Sequence, residues 1–347
     1  DPFSGEFDFS TLIADDMARI EVLRGQQSAL YGSDAIGGVV HYITPSGREA
    51  AGLRGRVEGG SFGSYSGAAR LGGFGEKFDY VLSGSYYRTD GTVVARNGAQ
   101  RIGSKSLAAS AKFAANPIEN LSFSAIGRYS RLEADAPTQS FFGPDFGLVV
   151  DGDKTTATDS LYGLVKGELE MLDGDWTHTV TLQGVEVDTQ SANGGVSNFK
   201  TNGVRRKMSY ASTYFLSLGA AEQSITFALD NERESFRNVP IGPPGPTNER
   251  RSLTTTGFVA EYNLNLNSKI GLGAAYRHDW NDIFKDSDTY RISGSYRFDN
   301  GLRMHAAAGS GFKAPTNFEL FGFDSGSFIG NPDLKPELSK GWEAGLQ

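Results

Sequence analysis

The chain has 347 residues, with 33 basic and 41 acidic side chains for a formal net charge of −8, and no cysteine. The missing cysteine excludes disulfide scaffolds, zinc–thiolate sites and iron–sulfur clusters, and an acidic chain without a basic block argues against nucleic acid as the main partner. No apolar run approaches the ~18 residues of a membrane helix, but that leaves open a β-barrel, whose strands carry a weaker signal. Glycine is high at 45 residues, and Tyr (14) and Phe (23) make up nearly all the aromatics beside Trp (3), a composition that fits a β-rich envelope protein.

The chain begins at Asp1 and stops at Gln347 inside a strand-like run, so it reads as an internal fragment. Residues 18–25 read as a strand ending in a turn, residues 26–31 as a short helical turn, and residues 35–44 as a second strand. Pro45-Ser46-Gly47 marks a boundary. From residue 51 the pattern has period two. Phe258, Ala260, Tyr262, Leu264 and Leu266 oppose Glu261, Asn263 and Asn265; Ile270, Leu272, Ala274 and Tyr276 oppose Gly271, Gly273 and Arg277. Alternation of this kind implies strands with one apolar and one polar face. Roughly fourteen strands fit between residue 53 and the end, many near the ~9–11 residues of a tilted spanning strand. The apolar set is expected to face lipid, and Glu261, Asn263 and Arg277 to face inward.

The connections alternate in length. Short polar turns fall at residues 72–77, 116–120, 173–175, 220–223, 267–268 and 299–301. Longer segments fall at residues 89–105, 133–158, 189–206, 238–251 and 312–339. Short turns at one end and long loops at the other are the plan of an outer-membrane barrel. A propeller would show a repeat of about 40–50 residues, and none is present. Enzyme readings fail on context. Gly59-Gly60-Ser61-Phe62-Gly63 has the nucleophile-elbow pattern but sits in a hairpin turn with no helix after it. His41, His178, His278 and His305 lie on separate elements without metal-ligand spacing.

Residues 20–40, Ile-Glu-Val-Leu-Arg-Gly-Gln-Gln-Ser-Ala-Leu-Tyr-Gly-Ser-Asp-Ala-Ile-Gly-Gly-Val-Val, strongly resemble the end of the plug domain of TonB-dependent outer-membrane transporters, with Gln26 where that family usually has Pro. Gly311-Phe312-Lys313-Ala314-Pro315, followed by Gly330-Asn331-Pro332-Asp333-Leu334-Lys335-Pro336-Glu337, resembles a late-barrel signature of the same family. The compact late loop is more similar to the cobalamin-transporter branch, which also includes siderophore and haem receptors. The resemblance implies an all-β fold: a transmembrane antiparallel β-barrel, here an incomplete part of a 22-stranded barrel, with the C-terminal part of a plug. Residues 1–46 would be that plug part and residues 47–347 the partial barrel, with the TonB box and roughly eight strands lying outside the chain. The implied function is active uptake of a scarce metal chelate or cofactor, cobalamin or a ferric siderophore, across the outer membrane of a Gram-negative bacterium. The implied partners are TonB and outer-membrane lipid. A passive porin or adhesin barrel is the alternative, and the plug motif speaks against it.

The resemblance also implies an ion pair between the plug and the wall. Arg24 would insert into the barrel wall and pair with Glu343, with Glu261 a weaker second partner by its inward parity. Gly25, Gly32, Gly37 and Gly38 read as plug turns rather than ligand contacts. Tyr31, Tyr65, Phe141, Phe142 and Phe146 are candidates for an aromatic rim around a chelate or corrinoid; packing of the loop on itself is the competing reading. Asp151 and Asp153, with Asp145 and Asp159 nearby, are candidates for a calcium site, against a reading as solvated acids. No other cofactor is called for.

Overall fold

The computed structural model describes residues 16–238, 249–322 and 328–347 throughout, with residues 2, 5, 7, 9 and 12 and the backbone of 323 and 324. Strands β1 (Arg19–Arg24) and β2 (Gly38–Ile43) form an antiparallel hairpin that encloses a one-turn helix, α1 (Ser28–Tyr31). Then follow β3 (Gly52–Gly59), β4 (Tyr65–Phe74), β5 (Phe78–Val93), β6 (Arg101–Ile118), β7 (Leu121–Gln139), β8 (Val149–Met171) and β9 (Trp176–Asn193). The series continues through β10 (Val196–Leu218), β11 (Ala221–Asn238), β12 (Arg251–Leu266), β13 (Ile270–Asn281), β14 (Ser287–Arg297) and β15 (Arg303–Lys313). A short helix, α2 (Asn317–Phe321), and the two-residue strands β16 (Phe323–Asp324) and β17 (Phe328–Ile329) precede β18 (Glu337–Leu346). Strands β3 to β15 and β18 make one 14-stranded antiparallel sheet in chain order.

Contacts with the N-terminal hairpin segment define the inner face. Ser110 donates to Asp16, and Lys112 Nζ donates to the carbonyls of Thr44 and Pro45 at 3.1 and 3.2 Å. Arg205 reaches Asp34 at 3.6 Å, and Gly47 N donates to Asp79 at 2.7 Å. The plug segment therefore touches strands from β5 to β18 on one face only, and the sheet wraps around it. Residues of opposite parity point outward. Phe113, Val165, Leu182, Met208 and Phe227 are exposed there, and Phe227 stacks on Phe258 with centroids 6.3 Å apart. The expected parity of β12 and β13 holds: Tyr262, Leu272 and Tyr276 are exposed, while Arg277 is 1% exposed on the inner side. Aromatics mark both ends of the outer face. Near the short turns Trp176 lies 4.5 Å from the His178 ring, and His178 Nδ1 is 2.8 Å from Tyr210 Oη. At the other end Tyr276 donates to Asp288 at 2.5 Å and His278 packs on Trp280. Such belts suit a barrel crossing two interfaces.

Five of the six short turns fall at the predicted polar breaks; the sixth lies at Gly219–Ala220, because residues 221–223 already pair as β11. Asn267 and Ser268 both take positive φ, 52° and 54°, the paired left-handed geometry that matches strand twist, and Lys269 N closes the turn on Leu266 O at 3.0 Å. Gly59–Gly63 is a hairpin turn, with Gly60 N donating to Ser64 O at 2.8 Å. The long segments differ from expectation. Residues 189–206 are not a loop: β9 and β10 continue to a turn at Gly194 and Gly195, whose φ of 59° and 70° need glycine. Residues 133–158 are likewise mostly strand, leaving only 140–148 as loop, and β8 and β10 reach 23 residues each. Beyond the bilayer both faces of a strand meet water, so the apolar alternation vanishes while the ladder persists. Polar pairs hold it there, with Thr156 and Ser191 hydroxyls 3.1 Å apart and those of Thr158 and Thr189 3.3 Å apart. Much of residues 238–251, and residues 325–327 of the late loop, lie outside the described residues.

Residues 46–50 join plug to sheet through one turn. The Glu49 carboxylate accepts from Ser46 N at 2.7 Å and Ser46 Oγ at 3.0 Å, and Ser46 Oγ lies 3.3 Å from Glu49 N. This is a capping box on a single turn. The backbone bond first, then the hydroxyl, holds the Glu49 carboxyl below its ordinary value. A lowered folded value means the turn is fully stabilised above the unfolded value of about 4.3 and loosens as pH falls through the folded one. Ser46 and Glu49 amide resonances are expected to titrate together with a midpoint below about 4.3; a midpoint at or above it would contradict the bonding. The facing predicts a second outcome. Phe227→Arg, outward near mid-span, is expected to cost roughly 2–4 kcal/mol in a bilayer, and inward Asn263→Arg far less. Unfolding titrations in liposomes read both, and equal losses would refute the assignment of faces.

Candidate functional site: the contact between plug and wall

The helix α1 sits in a notch of the sheet. The β14–β15 ladder ends at the Arg291–Gly309 pair, so β15 runs on to Lys313 beside β18 alone. Ser28 fills the opened edge. Its hydroxyl accepts from Phe312 N at 3.2 Å and donates to Phe312 O at 3.4 Å, and Ser28 and Phe312 are both fully buried. Ser33 Oγ accepts from Ala314 N at 2.9 Å, and Gln26 Nε2 donates to Ser339 Oγ at 3.0 Å. A Cβ on Gly311 would lie 3.2 Å from Ile36 Cα, so this strand must be bare for the plug to approach. These contacts are short and polar. Water can replace each one as it breaks.

Below α1 runs a chain of charges on the inner wall. Arg277 donates to Asp230 at 2.7 and 3.0 Å and to Asp279 at 2.6 to 2.9 Å, a doubly bidentate arrangement. Asp230 also meets Lys207 at 3.6 Å, Lys207 meets Glu232 at 3.4 Å, and Glu232 meets Arg205 at 3.6 Å. Arg205 pairs closely with Glu234 and at 3.6 Å with Asp34 of the plug. The plug thus enters the chain through one carboxylate. Gly32 sits directly over the Arg277 guanidinium. A Cβ there would lie 3.2 Å from Nη2, and its φ of +85° already favours glycine. Removing one member of the buried Asp230–Arg277–Asp279 group leaves an unpaired charge at a cost of roughly 3–5 kcal/mol.

The expected pair of Arg24 and Glu343 does not form. Arg24 ends β1 opposite Gly38, its side chain is exposed, and its carbonyl accepts from Gln27 Nε2 at 3.0 Å. Glu343 instead pairs with Arg291 of the wall at 3.1 Å, and Arg291 Nη1 donates to Gln26 O at 3.0 Å. Glu343 still borders the plug, since a Cβ on Gly25 would lie 3.7 Å from Oε2. The correction has a plain cause. A wall arginine two strands from Glu343 already satisfies it, and Arg24 has turned out of reach at the end of its hairpin. Glu261 makes no ion pair among the described residues. It faces Tyr31, whose phenol is held above its ordinary value by burial first and then by the Glu261 and Glu21 carboxylates. Tyr31 packs edge-on to His41 at 5.4 Å. Gly25 and Gly38 take φ of 76° and 147°, and a Cβ on Gly38 would meet Leu23 O at 2.5 Å. Gly37 has no such demand: a Cβ there would meet nothing within 4 Å.

The other candidates separate. Tyr65 has outward parity and lies 5.8 Å from the Tyr86 ring, so it belongs to the aromatic belt and not to an inner rim. Phe141, Phe142 and Phe146 share the 140–148 loop, are 63%, 88% and 70% exposed, and do not pack on one another. Asp151 has another use: its carboxylate accepts from Ala99 N at 2.7 Å and Gln100 N at 3.1 Å, tying down the β5–β6 loop. The Asp153 carbonyl accepts from Gly194 N at 2.8 Å. No cluster of three or more acidic or histidine side chains placed to hold a metal ion occurs among the described residues. Sequence reasoning placed Arg277 inward but missed its partners. The available signal was Asp230, Glu232 and Glu234, three acids at spacing two on one face of β11.

The two plug contacts can be separated by mutation. Arg291→Ala frees Glu343 and drops the bond to Gln26, so leak of a bulky antibiotic should rise in cells expressing the complete coding sequence. Arg24→Ala should leave leak unchanged, and equal leak from the two variants would overturn the assignment.

Two family models match the chain. The TonB-dependent receptor plug domain covers residues 1–39, and the TonB-dependent receptor-like β-barrel covers residues 46–347. The vitamin B12 transporter BtuB of Photobacterium profundum is 28% identical over 352 residues, covering 99% of this chain and 53% of the relative. The chain thus spans about half the length of that curated relative. Among solved structures, the siderophore receptor PirA from Acinetobacter baumannii superposes with TM-score 0.79 at 16% identity, over 98% of this chain and 56% of that one. A mutant ferric enterobactin receptor PfeA from Pseudomonas aeruginosa, bound to enterobactin, gives 0.79 at 18%, over 98% and 57%. A plug segment held in the concave face of a long antiparallel sheet, matched end to end by both family models, makes this chain a member of the TonB-dependent receptor family.

Proposed function

We propose that the complete protein takes up a scarce ligand, cobalamin or a ferric siderophore, across the outer membrane of a Gram-negative bacterium, driven through TonB. The observation that supports this best is the plug–wall contact. The segment closes the inner face, yet it is held by hydroxyl bonds, a bridged carbonyl and one carboxylate in a charge chain. Such contacts fix position closely and add little net stability, so a pulling force can part them as water enters. A plug segment seated against the inner wall favours this reading over a passive porin.

Cobalamin is the first ligand to test, because the 28% identical relative is named a vitamin B12 transporter and aligns along 99% of this chain. The exposed Phe141, Phe142 and Phe146 offer apolar rings for a corrin or a catechol face at the mouth. The test is growth of a strain deleted for its own receptors and carrying the complete coding sequence. On limiting cobalamin, or on one of a panel of ferric siderophores, growth is expected only with TonB present. Growth on none of them, or growth indifferent to TonB, would overturn the reading.

A further inference from the structure

The outer face of the sheet carries a trough that uptake does not use. Gly127, Gly163 and Gly184 are consecutive partners across β7, β8 and β9, and the row continues to Arg206 on β10 and Arg233 on β11. All have outward parity. A Cβ on Gly127 or Gly163 would meet nothing within 4 Å, so the row is a floor without side chains. Phe113, Val165, Leu182 and Met208 form the wall nearer the short turns, and the open trough has a volume of about 910 Å³. From β6 to β10 it runs about 19 Å at ~4.8 Å per strand.

The two arginines close one end. Arg206 and Arg233 are directly opposed across β10 and β11, both exposed, and neither has an ion pair among the described residues. Arg233 Nη2 donates to Ser252 Oγ at 3.2 Å. Like charges opposed across a ladder destabilise it. The carboxylates nearest on this face, Glu186 and Asp188 of β9, both accept from Asn202 Nδ2 at 3.1 Å. β11 and β12 present no acid outward. The height also fits. With ~3.3 Å per residue and a tilt of about 40°, Arg206 stands about 30 Å above the short turn after Leu218, just beyond an apolar band of ~25 Å.

We infer that this trough is a binding site for a phosphorylated lipid of the outer leaflet: one acyl chain lies along the glycine floor and a headgroup phosphate bridges Arg206 and Arg233. Paired guanidinium groups match phosphate oxygens in fork geometry, and the anion removes their mutual repulsion. This rests on the outer-membrane reading of the protein.

The test uses the product of the complete coding sequence, purified in detergent and titrated by native mass spectrometry. The probe is a bisphosphorylated, multiply acylated diglucosamine lipid, with its dephosphorylated form and inorganic phosphate as comparisons. The phosphorylated lipid is expected to bind at least tenfold more tightly than the dephosphorylated one. Arg206→Gln/Arg233→Gln should abolish that preference, and Gly163→Leu should weaken both lipids several-fold. No preference in the wild type, a preference that survives in the double variant, or competition by inorganic phosphate as strong as by the lipid would overturn the proposal. Insertion of the wild type into nanodiscs of purely zwitterionic lipid is scored separately. Failure there counts against the membrane reading itself, and success there with no lipid preference counts against this site alone.

Discussion

Each strand of the sheet separates hydrocarbon from a polar segment, and that leaves its register no freedom. A slip of one residue would turn Arg277, Asp230, Glu232 and Glu234 outward and bring Phe227, Leu229 and Tyr276 against the plug. Each cation placed outward near mid-span costs roughly 2–4 kcal/mol, so even a local slip outweighs a typical ladder hydrogen bond several times over. Tight left-handed turns at Asn267–Ser268 and Leu172–Asp173 follow from this, because a looser connection would permit the slip.

The charges of the inner side serve the same end. Asp34, Asp230, Glu232, Glu234 and Asp279 face Arg205, Lys207 and Arg277, five carboxylates against three cations. Such a set gains little net stability over apolar packing, but each misplacement strands a charge. The wall members pair mainly with one another. Only Asp34 crosses the gap. Without Asp34 the wall set is nearly balanced, four carboxylates against three cations.

Much of this was legible in sequence, for physical reasons that also set the limit. Alternation exists only where the two faces meet different solvents, so β12 and β13 could be read residue by residue, lipid side and plug side. Where β9 and β10 extend into water on both faces the contrast disappears, and a 23-residue strand looked like a loop. The plug segment and the late-barrel motif were recognisable, yet their contact was not. Arg24 and Glu343 come near the same place, but charge complementarity along a sequence does not say which of several arginines arrives. Arg291 lies inward on β14 with the same parity as Ser293, and nothing local distinguished it as the one that holds Glu343. The Asp151 carboxylate shows a related limit, since its partners are backbone amides of another loop, which no side-chain pattern announces.

The notch between β14 and β15 makes the plug a structural part of the sheet. Phe312 presents its N–H and C=O toward a place where a neighbouring strand would ordinarily stand, and a single serine hydroxyl answers both. When the segment departs, these two backbone groups lose their partner together, in a spot that has been dry. The wall then has a frayed seam for as long as the lumen is open. Opening of the proposed kind would therefore be registered in the barrel itself, and deuterium uptake at the Phe312 amide would count the time the plug spends out of its seat.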